Sequence, residues 1–440
     1  MPESQTKILN SKDEDFKKKL NIILKVDQKN QLNLYNTVFD IIKKIQESGD
    51  DALIDFVKTF DSAKINKIDE LYISKDVLKD AYNSLRKEEK QALNIAAERI
   101  KKFHKHQIPI DIKYKDDIDV NLGLKYSPIV SAGFYVPGGK AIYPSSVLMN
   151  AIPALVAGVE RRVVVSPISD LRKSCIVLAA AYVADVTEFI CMGGAHAIAA
   201  LAYGTKTVNP VDKIVGPGNA YVAEAKRQLF GRVGIDLLAG PTETLIIADD
   251  LGCDPEMAAT DLLGQAEHGV NSPAILLTNS EDFANATVKE VERQLETLET
   301  AKIAGQAWRD YGQVIVCDTY EEMVQVADDL AFEHVHVMTQ DPNYFLKNMT
   351  NFGALFLGPE TNVSYGDKVI GTNHTLPTNK AARYTGGLWV GKFIKTCTYQ
   401  RVTPEATVEI GEYCSRLCAL EGFAGHKAQA DLRVKRYQKS

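Results

Sequence analysis

Features that direct a chain to a membrane, to secretion or to nucleic acid are scarce in this sequence. Its most apolar stretches, residues 151–159 and 175–186, fall well short of the ~20 residues needed to cross a bilayer. The N-terminal residues are polar and charged, so we expect no signal peptide. The net charge of −6 argues against a nucleic-acid or membrane-surface binder, and basic clusters such as Lys17 to Lys19 are balanced by nearby acids.

Cysteine and histidine are also sparse. Seven cysteines are scattered along 440 residues, and only Cys414 and Cys418 lie one helical turn apart. Because no second close pair exists, two structural thiols are a simpler interpretation than half of a metal site. This usage predicts a reducing, cytosolic compartment.

The apolar residues that are present alternate between strand-like and helix-like patterns. Residues 11–107 show helical spacing, whereas buried strands and helices alternate from residue 127 to 203 and again from residue 243 to 357. The length allows two sizeable cores. The pattern therefore predicts an α/β protein with open parallel sheets covered by helices on both faces.

Local signals predict several helix ends and one long loop. Ser145 stands before an apolar run as a serine cap, Asp254 precedes a proline in a first helical turn, and Thr319 with Glu322 forms a capping box. Residues 358–383 show no periodicity. Loops of that length are usually functional.

Two pairs of polar side chains suggest chemistry. Gln265 and His268 share one face of an otherwise apolar helix and therefore need a polar partner. Glu333 and His334 stand together where a helix passes into a strand, which suits general acid–base catalysis, and His336 is predicted to point to the same side as His334. A surface position or a structural hydrogen bond would also explain any one of these residues.

Two further segments add metal-capable side chains. The long loop contains Asp367 and His374, and near the C-terminus Glu421 and His426 flank a predicted helix break. No Gly-x-Gly-x-x-Gly follows a strand, so the sequence carries no dinucleotide fingerprint, and the glycine-rich residues 215–219 could be a bare turn.

Across nearly its whole length the sequence resembles the histidinol dehydrogenase family. The motifs that carry this resemblance are, in chain order, Phe134-Tyr135-Val136-Pro137-Gly138-Gly139, Gly193-Gly194-Ala195, Val215-Gly216-Pro217-Gly218-Asn219, Ala239-Gly240-Pro241, Gln265-Ala266-Glu267-His268-Gly269, Glu333-His334, Gly371-Thr372-Asn373-His374 with Leu376-Pro377-Thr378, and Glu421-Gly422 with His426. Each motif is weak alone. Their number and order are specific.

The resemblance implies two open Rossmann-like α/β domains with small helical N- and C-terminal appendages, in an intertwined homodimer. Residues 1–29 would be an N-terminal helical segment, and residues 30–135 with 243–388 a discontinuous first α/β domain. Residues 136–242 would form the second α/β domain, and residues 389–440 a C-terminal helical arm exchanged between subunits.

The resemblance also implies the residues of the site. One Zn²⁺ per subunit would be held by Gln265, His268, Asp367 and His426, a set of nitrogen and oxygen donors that suits zinc. NAD would contact Tyr135, His196 and Asn219. The small-molecule substrate would contact Thr242, Gln265, His268, His334, Asp367, Lys368, Glu421 and His426, of which Glu421 and His426 enter the partner subunit's site.

The implied reaction oxidises a primary alcohol through an aldehyde to a carboxylate, with two hydrides passed to NAD. His334 would take the hydroxyl proton, and Glu333 would activate the water that attacks the aldehyde. A zinc hydrolase would also place Glu-His beside a metal but would not use NAD. A non-catalytic binding protein would not need ligands and acid–base residues together.

Several positions depart from the histidinol branch. Lys368 replaces its usual aromatic residue, Thr242 its serine and His196 its glutamine, and residues 384–392 also differ. These departures resemble the sulfopropanediol dehydrogenase branch, which oxidises (R)-2,3-dihydroxypropane-1-sulfonate to sulfolactate. The ammonium of Lys368 would attract a sulfonate and repel the amine of histidinol. The alternative substrate is L-histidinol, which would be oxidised to L-histidine, and Lys368 would then be a solvated loop residue.

Overall fold

The computed structural model describes residues 8–23, 31–61, 65–138, 142–168, 170 and 174–438. Residues 1–7 and 24–29 of the predicted N-terminal segment 1–29, together with Gly139 of the first motif, lie outside the described residues. By contact, the chain divides into two units. The first comprises Met1–Gln107 and Val130–Phe393, and the second comprises Ile108–Ile129 and Ile394–Ser440.

The regular elements are as follows. The strands are β1 (Ile8–Asn10), β2 (Tyr72–Ile73), β3 (Ile112–Lys115), β4 (Asn121–Pro128), β5 (Ser131–Tyr135), β6 (Arg161–Val165), β7 (Glu188–Ile190), β8 (Lys213–Val215), β9 (Gly234–Ile235), β10 (Thr244–Ala248), β11 (Ala274–Thr278), β12 (Gln313–Val316), β13 (His334–Met338), β14 (Ala354–Leu357) and β15 (Ile394–Arg401). The helices are α1 (Phe16–Ile23), α2 (Gln31–Phe60), α3 (Lys75–Ser84), α4 (Lys87–Lys105), α5 (Pro144–Ala157), α6 (Cys175–Val183), α7 (Gly194–Tyr203), α8 (Ala220–Leu229), α9 (Pro255–Ala266), α10 (Glu281–Leu295), α11 (Ala301–Tyr311), α12 (Tyr320–Leu330), α13 (Pro342–Asn348), α14 (Val363–Lys368), α15 (Pro404–Leu420) and α16 (Ala424–Tyr437). None of these described helices is long and apolar enough to cross a membrane.

The first unit contains two six-stranded sheets, as the two runs of alternating strands and helices predicted. One sheet has the order β1-β12-β11-β10-β13-β14 and is parallel throughout. Along β10, Leu245 and Ile247 pack into one apolar cluster and Ile246 and Ala248 into another, because helices cover both faces. The other sheet has the order β2-β7-β6-β5-β8-β9 and is parallel except for β2.

The second sheet has a topological switch point at β5, where the strands that follow in the chain are added first on one side and then on the other. The chain passes from β5 outward to β6 and β7 on one side, and later outward to β8 and β9 on the other. Loops at the carboxyl ends of β5 and β8 therefore diverge and leave a crevice at this switch point. Ligands of open α/β sheets commonly bind in such a crevice.

Two strands lie elsewhere than the predicted domain boundaries place them. β1 pairs with β12, so residues near the N-terminus belong to the sheet of residues 244–357 rather than to a helical segment. β5 pairs with β6 and β8, although residues 30–135 were assigned to the other α/β domain. Strand pairing joins segments that are distant in the chain, so local periodicity does not reveal it.

The second unit corrects the prediction of a purely helical C-terminal arm. β15 pairs antiparallel with β4 over eight residues, and β3 flanks β4 on its other side. Among the described residues of this unit, α15 and α16 are the helices, and they pack against each other in a hairpin. The predicted break between Glu421 and His426 is confirmed, because α15 ends at Leu420 and Gly422 has a φ of 78°.

Helix ends agree with the sequence at some positions and differ at others. Asp254 caps α9 and Thr319 caps α12 through their side-chain oxygens, as predicted. Ser145, however, is not a cap, because α5 already begins at Pro144. The long loop 358–383 contains the short helix α14, which its composition did not indicate.

A buried ion pair joins α8 to the segment that leaves β9. Lys226 and Asp236 form this pair with both side chains almost fully enclosed. The Lys226 ammonium also donates to Gly216 O at 2.9 Å, and the Asp236 carboxylate accepts from Gly216 N–H at 2.7 Å. The pair therefore fixes the glycine-rich loop after β8 against the segment that leads to β10.

Removing one member of this pair should strongly destabilise the protein. Asp236→Ala leaves the Lys226 ammonium buried without its counter-charge, and we expect a loss of about 3–5 kcal/mol in the free energy of unfolding. Urea denaturation followed by circular dichroism measures this loss. Glu256→Ala, which breaks an exposed pair with Arg293, is the control and should cost about 0.5 kcal/mol or less. Equal losses in the two variants would contradict the prediction.

Candidate active site

A cavity of about 240 Å³ lies between the two sheets of the first unit. On one side it is bounded by the loops after β5 and β8, which contribute Pro137, Pro217 and Gly218 at the carboxyl edge of the second sheet. On the other side it is bounded by segments that precede β10, β11 and β13, at the amino edge of the first sheet. The residues of the amino edge include Thr242, His268, Asn271, Ser272, Glu333 and His334.

Glu333 and His334 stand together on the cavity wall at the start of β13. Strand pairing fixes both residues, because His334 N–H donates to Glu243 O at 3.2 Å and Glu333 O accepts from Ala354 N–H at 2.8 Å. The Glu333 Oε2 and His334 Nδ1 atoms are 3.6 Å apart, and both side chains are buried. This arrangement places an acid and a base at one point of the cavity.

The short helix α14 places Asp367 beside Nε2, the other ring nitrogen of His334, and places Lys368 beside Asp367. Asn362 caps this helix, and Gly366 lies so close to the Phe356 ring that a Cβ atom there would come within 2.5 Å of it. Asp367 Oδ1 lies 3.6 Å from His334 Nε2, so the imidazole stands between two carboxyl groups. Lys368 Nζ is 3.8 Å from Asp367 Oδ2, and its side chain is 58% exposed.

The site contains one histidine that the sequence indicated only as a metal-capable side chain. His374 lines the cavity, with its Nδ1 atom 3.9 Å from Asp367 Oδ1. Its Nε2 atom is buried and has no hydrogen-bond partner among the described residues. Burial lowers the pKa of His374 to about 4, so the ring is neutral at physiological pH. The sequence signal for His374 was its place in the motif Gly371-Thr372-Asn373-His374.

Glu243 was also missed. It follows Thr242, and its backbone N–H donates to Glu333 Oε2 at 3.3 Å, while its own Oε1 accepts from Asn379 N–H at 3.0 Å. Burial raises the pKa of Glu243 to about 7. It also raises the pKa of Glu333 to about 8, with the Glu243 carboxyl group adding to the rise. The only sequence signal for Glu243 was an acidic residue directly before a buried strand.

Charges in the cavity act on His334 and Asp367 in opposite directions. Burial alone would lower the pKa of His334, but the Glu333 and Asp367 carboxyl groups raise it overall. Burial would raise the pKa of Asp367, but His334, His374 and Lys368 together hold it well below its usual range. Asp367 is therefore the permanent negative charge of the site.

The predicted metal ligands of this unit are Gln265, His268 and Asp367. Gln265 is in the last turn of α9, and its Oε1 atom is buried without a hydrogen-bond partner among the described residues. His268 follows the end of α9, lines the cavity and is exposed in the single chain. No group of three or more histidine, cysteine, aspartate or glutamate side chains in the described part of the chain could hold a metal by itself.

A buried contact orients α9 against β13. His336 Nδ1 lies 3.0 Å from Asp261 Oδ2, and His336 Nε2 lies 2.9 Å from Gly358 O. Asp261 is one helical turn before Gln265, so this contact positions Gln265 relative to His334. The prediction that His336 and His334 share a side of the strand is confirmed, because both rings pack against Phe356.

The predicted cofactor residues lie outside the cavity lining, near the carboxyl edge of the second sheet. The Tyr135 hydroxyl accepts from Gly194 N–H at 3.2 Å, and Asn219 caps α8. His196 is 1% exposed, stacks against two phenylalanine rings and has its Nε2 atom 3.0 Å from Asp61 Oδ2. In this arrangement His196 offers no open edge to a cofactor, and its predicted contact stays a prediction.

Glu421 and His426 belong to the second unit. Glu421 directly follows α15, His426 lies in the first turn of α16, and both are exposed. Their predicted entry into the site of a partner subunit stays a prediction.

Comparison with known proteins gives matches along most of the chain. The model of the histidinol dehydrogenase family matches residues 24–434. A Mesorhizobium japonicum protein named histidinol dehydrogenase homolog 1 is 53% identical over 405 residues, covering 91% of this chain and 80% of the relative. The histidinol dehydrogenase of the same organism is 43% identical over 426 residues, covering 97% and 99%. The crystal structure of histidinol dehydrogenase from Elizabethkingia anophelis is 33% identical, with a TM-score of 0.90 and coverage of 98% and 99%.

The raised pKa of Glu333 predicts a pH-dependent stability. Its pKa rises from 4.5 to about 8 on folding, so its contribution to stability is complete below pH 4.5 and is lost as the pH rises through 8. Glu333→Gln should therefore gain stability relative to the unmodified protein between pH 5 and pH 9, by on the order of a few kcal/mol. Urea denaturation at several pH values measures the difference. The exposed control Glu47→Gln should show no such trend, and a flat difference for Glu333→Gln would refute the assignment.

Proposed function

The chain belongs to the histidinol dehydrogenase family, and from this premise we propose that it is a zinc-dependent, NAD-linked dehydrogenase that oxidises a primary alcohol through an aldehyde to a carboxylate. The observation that carries the proposal is the position of His334 between the carboxyl groups of Glu333 and Asp367, on the wall of a cavity between the two sheets. All seven cysteines are free, which supports the predicted cytosolic compartment.

The donor set suits the proposed metal. Gln265 offers a buried oxygen without a partner, and His268 and Asp367 face the cavity. With His426 of the partner subunit, they would hold Zn²⁺ through nitrogen and oxygen atoms. The metal would supply polarisation and orientation of the substrate hydroxyl. Of the three histidine and carboxylate ligands, one chain would contribute only His268 and Asp367 to a given site. This agrees with the lack of a group of three such side chains among the described residues.

The switch point of the second sheet is the proposed place for NAD. The loops after β5 and β8 bound both this crevice and the cavity, through Pro137, Pro217 and Gly218. A nicotinamide ring placed there would lie beside the residues that carry out proton transfer. Gly218 has no room for a side chain, since a Cβ atom would come within 2.4 Å of the Val222 side chain.

His334 is the proposed general base of the first oxidation. A neutral imidazole would accept the hydroxyl proton as hydride passes from the carbinol carbon to NAD. The Asp367 carboxylate, whose pKa is lowered, would then stabilise the imidazolium. The product of this step is the aldehyde with one NADH.

Glu333 is the proposed base of the second oxidation. Water must add to the aldehyde before a second hydride can leave, and this addition releases a proton. The ionised fraction of this buried carboxyl group, whose pKa is about 8, can accept that proton, because a general base works best when its pKa is close to the working pH. The cavity also retains the aldehyde between the two steps. The products are the carboxylate and a second NADH.

We propose (R)-2,3-dihydroxypropane-1-sulfonate as the alcohol and sulfolactate as the product. Lys368 supports this choice, because its ammonium lines the cavity beside Asp367 and can pair with an anion. The relatives also support it. This chain is nearer to the histidinol dehydrogenase homolog of M. japonicum than to the histidinol dehydrogenase of the same organism, at 53% against 43% identity.

The substrate proposal is tested by kinetics with both alcohols. Opposite charges about 4 Å apart attract by ~4 kcal/mol at an effective dielectric of 20 before desolvation, and a net ~1.4 kcal/mol changes affinity tenfold. We therefore expect two NADH per sulfonate oxidised, and a KM raised about tenfold or more in Lys368→Tyr but largely retained in Lys368→Arg. Lys347→Tyr, at an exposed lysine on α13, is the control. Efficient oxidation of L-histidinol with no turnover of the sulfonate would show instead a histidinol dehydrogenase.

The second unit supports the proposed homodimer. Large apolar side chains are exposed there in the single chain, and patches of this kind usually mark an interface. They include Ile110, Ile112, Tyr114, Tyr413, Leu417, Leu420, Phe423 and Leu432. Leu420 is 85% exposed and adjoins Glu421, so a partner that covers this patch would also cover the residues predicted to act in trans.

Subunit complementation tests the shared metal site. His268→Ala and His426→Ala should each lose zinc and activity as homodimers, because one ligand of a small set is missing. A heterodimer of the two, isolated with two different affinity tags, should regain up to about half of the wild-type activity, since one of its sites keeps all four ligands. Zinc content and NADH formation are the measurements. An inactive heterodimer, or a fully active monomer, would exclude a site shared between subunits.

A further inference from the structure

The start of α5 forms part of the cavity wall and has no cap. The helix begins at Pro144, and the preceding residue, Tyr143, makes no side-chain hydrogen bond to it. The next two residues, Ser145 and Ser146, both line the cavity. Their N–H groups precede the first intrahelical donor, so they have no acceptor within the helix.

The serine hydroxyls add to this set of unused donors. Ser145 is 8% exposed and Ser146 is 2% exposed, so both side chains are more than nine-tenths buried. In the described part of the chain, neither hydroxyl has a hydrogen-bond partner. Buried polar groups are normally hydrogen-bonded, because an unpaired one forfeits its interaction with water. Two serines whose N–H and O–H donors have no protein acceptor in the described part of the chain therefore line the cavity.

A ligand that could satisfy these donors carries several acceptor oxygens and negative charge. The helix dipole adds a partial positive charge at this end of α5, a fourteen-residue helix. Lys368 brings a full positive charge to the same cavity. The two carboxyl groups that line the cavity already contact other side chains. Glu333 lies beside His334, and Asp367 lies beside His334 and Lys368.

We propose that the N-terminus of α5, with Ser145 and Ser146, is the binding subsite for a tetrahedral oxyanion, and that this group is the sulfonate of the substrate. The identity of the group rests on the proposed function, whereas the subsite itself rests on the unused donors. The substrate is favoured over the pyrophosphate of NAD because Ser145 and Ser146 line the same cavity as Glu333 and His334. The predicted cofactor residues Tyr135 and Asn219 do not line it.

The experiment measures binding of three probes to the intact protein: inorganic sulfate, 2,3-dihydroxypropane-1-sulfonate and NAD. The double variant Ser145→Ala/Ser146→Ala should weaken binding of sulfate and of the sulfonate about tenfold or more, since hydrogen bonds to a charged group are lost. The KM for NAD should not change. Ser146→Asp should abolish sulfate binding while keeping the melting temperature, because a negative charge in the first turn of a helix is favourable to the helix and repels an anion.

Thr287→Val is the control, because it removes an equally buried helical hydroxyl that donates to Phe283 O on α10, away from the cavity. It should leave all three affinities unchanged. Sulfate affinity that is unchanged in both serine variants would overturn the subsite. Weakened binding of NAD alone, with the sulfonate unaffected, would overturn the assignment to the substrate and place the cofactor's pyrophosphate at α5. Serine-dependent sulfate binding without oxidation of the sulfonate would uphold the subsite while refuting the proposed substrate.

Discussion

The backbone segment from Asp236 to Glu243 is the constraint on which the rest of the site depends. It carries the chain directly from the second sheet to the first, since it joins β9 to β10. The buried pair of Asp236 with Lys226 holds its beginning. The Thr378 hydroxyl accepts from Gly240 N–H at 2.6 Å in its middle, and Glu243 ties its end to Glu333 and Asn379. Because each of these tethers is made by a buried or half-buried side chain, the two cavity walls keep their separation.

The position of the acid–base residues follows from this arrangement. Glu333 and His334 lie at the amino edge of a parallel sheet rather than at its carboxyl edge, where ligands of such sheets usually bind. The second sheet presents its own carboxyl edge to the same cavity. Carboxyl groups enclosed between the sheets lose water, which raises the pKa of Glu333 and Glu243, whereas Asp367 keeps its charge because cationic groups surround it. One cavity therefore contains a permanent charge and groups that exchange protons near pH 7.

The sequence by itself determined the features that local chemistry controls. The alternation of buried strands and amphipathic helices predicted the α/β class, because period 2 and period 3.6 are properties of neighbouring residues. The caps of α9 and α12 at Asp254 and Thr319 were likewise readable, since a side chain there reaches an amide only three residues away. The adjacency of Glu333 and His334 placed them together whatever the fold.

Only the tertiary structure decided how distant segments meet. β1 joins a sheet although residues 1–29 were predicted as a helical segment, and β5 lies in the other sheet than the one predicted for residues 30–135. β15 forms an unpredicted antiparallel sheet with β3 and β4, because contacts between distant parts of the chain decide which strands pair. Burial likewise depends on the whole fold. It made Glu243 a member of the site and left the donors of Ser145 and Ser146 without protein acceptors on the cavity wall, although nothing in their immediate sequence distinguishes them from ordinary core or surface residues. It also decided that His374, which its motif did mark, lies beside Asp367.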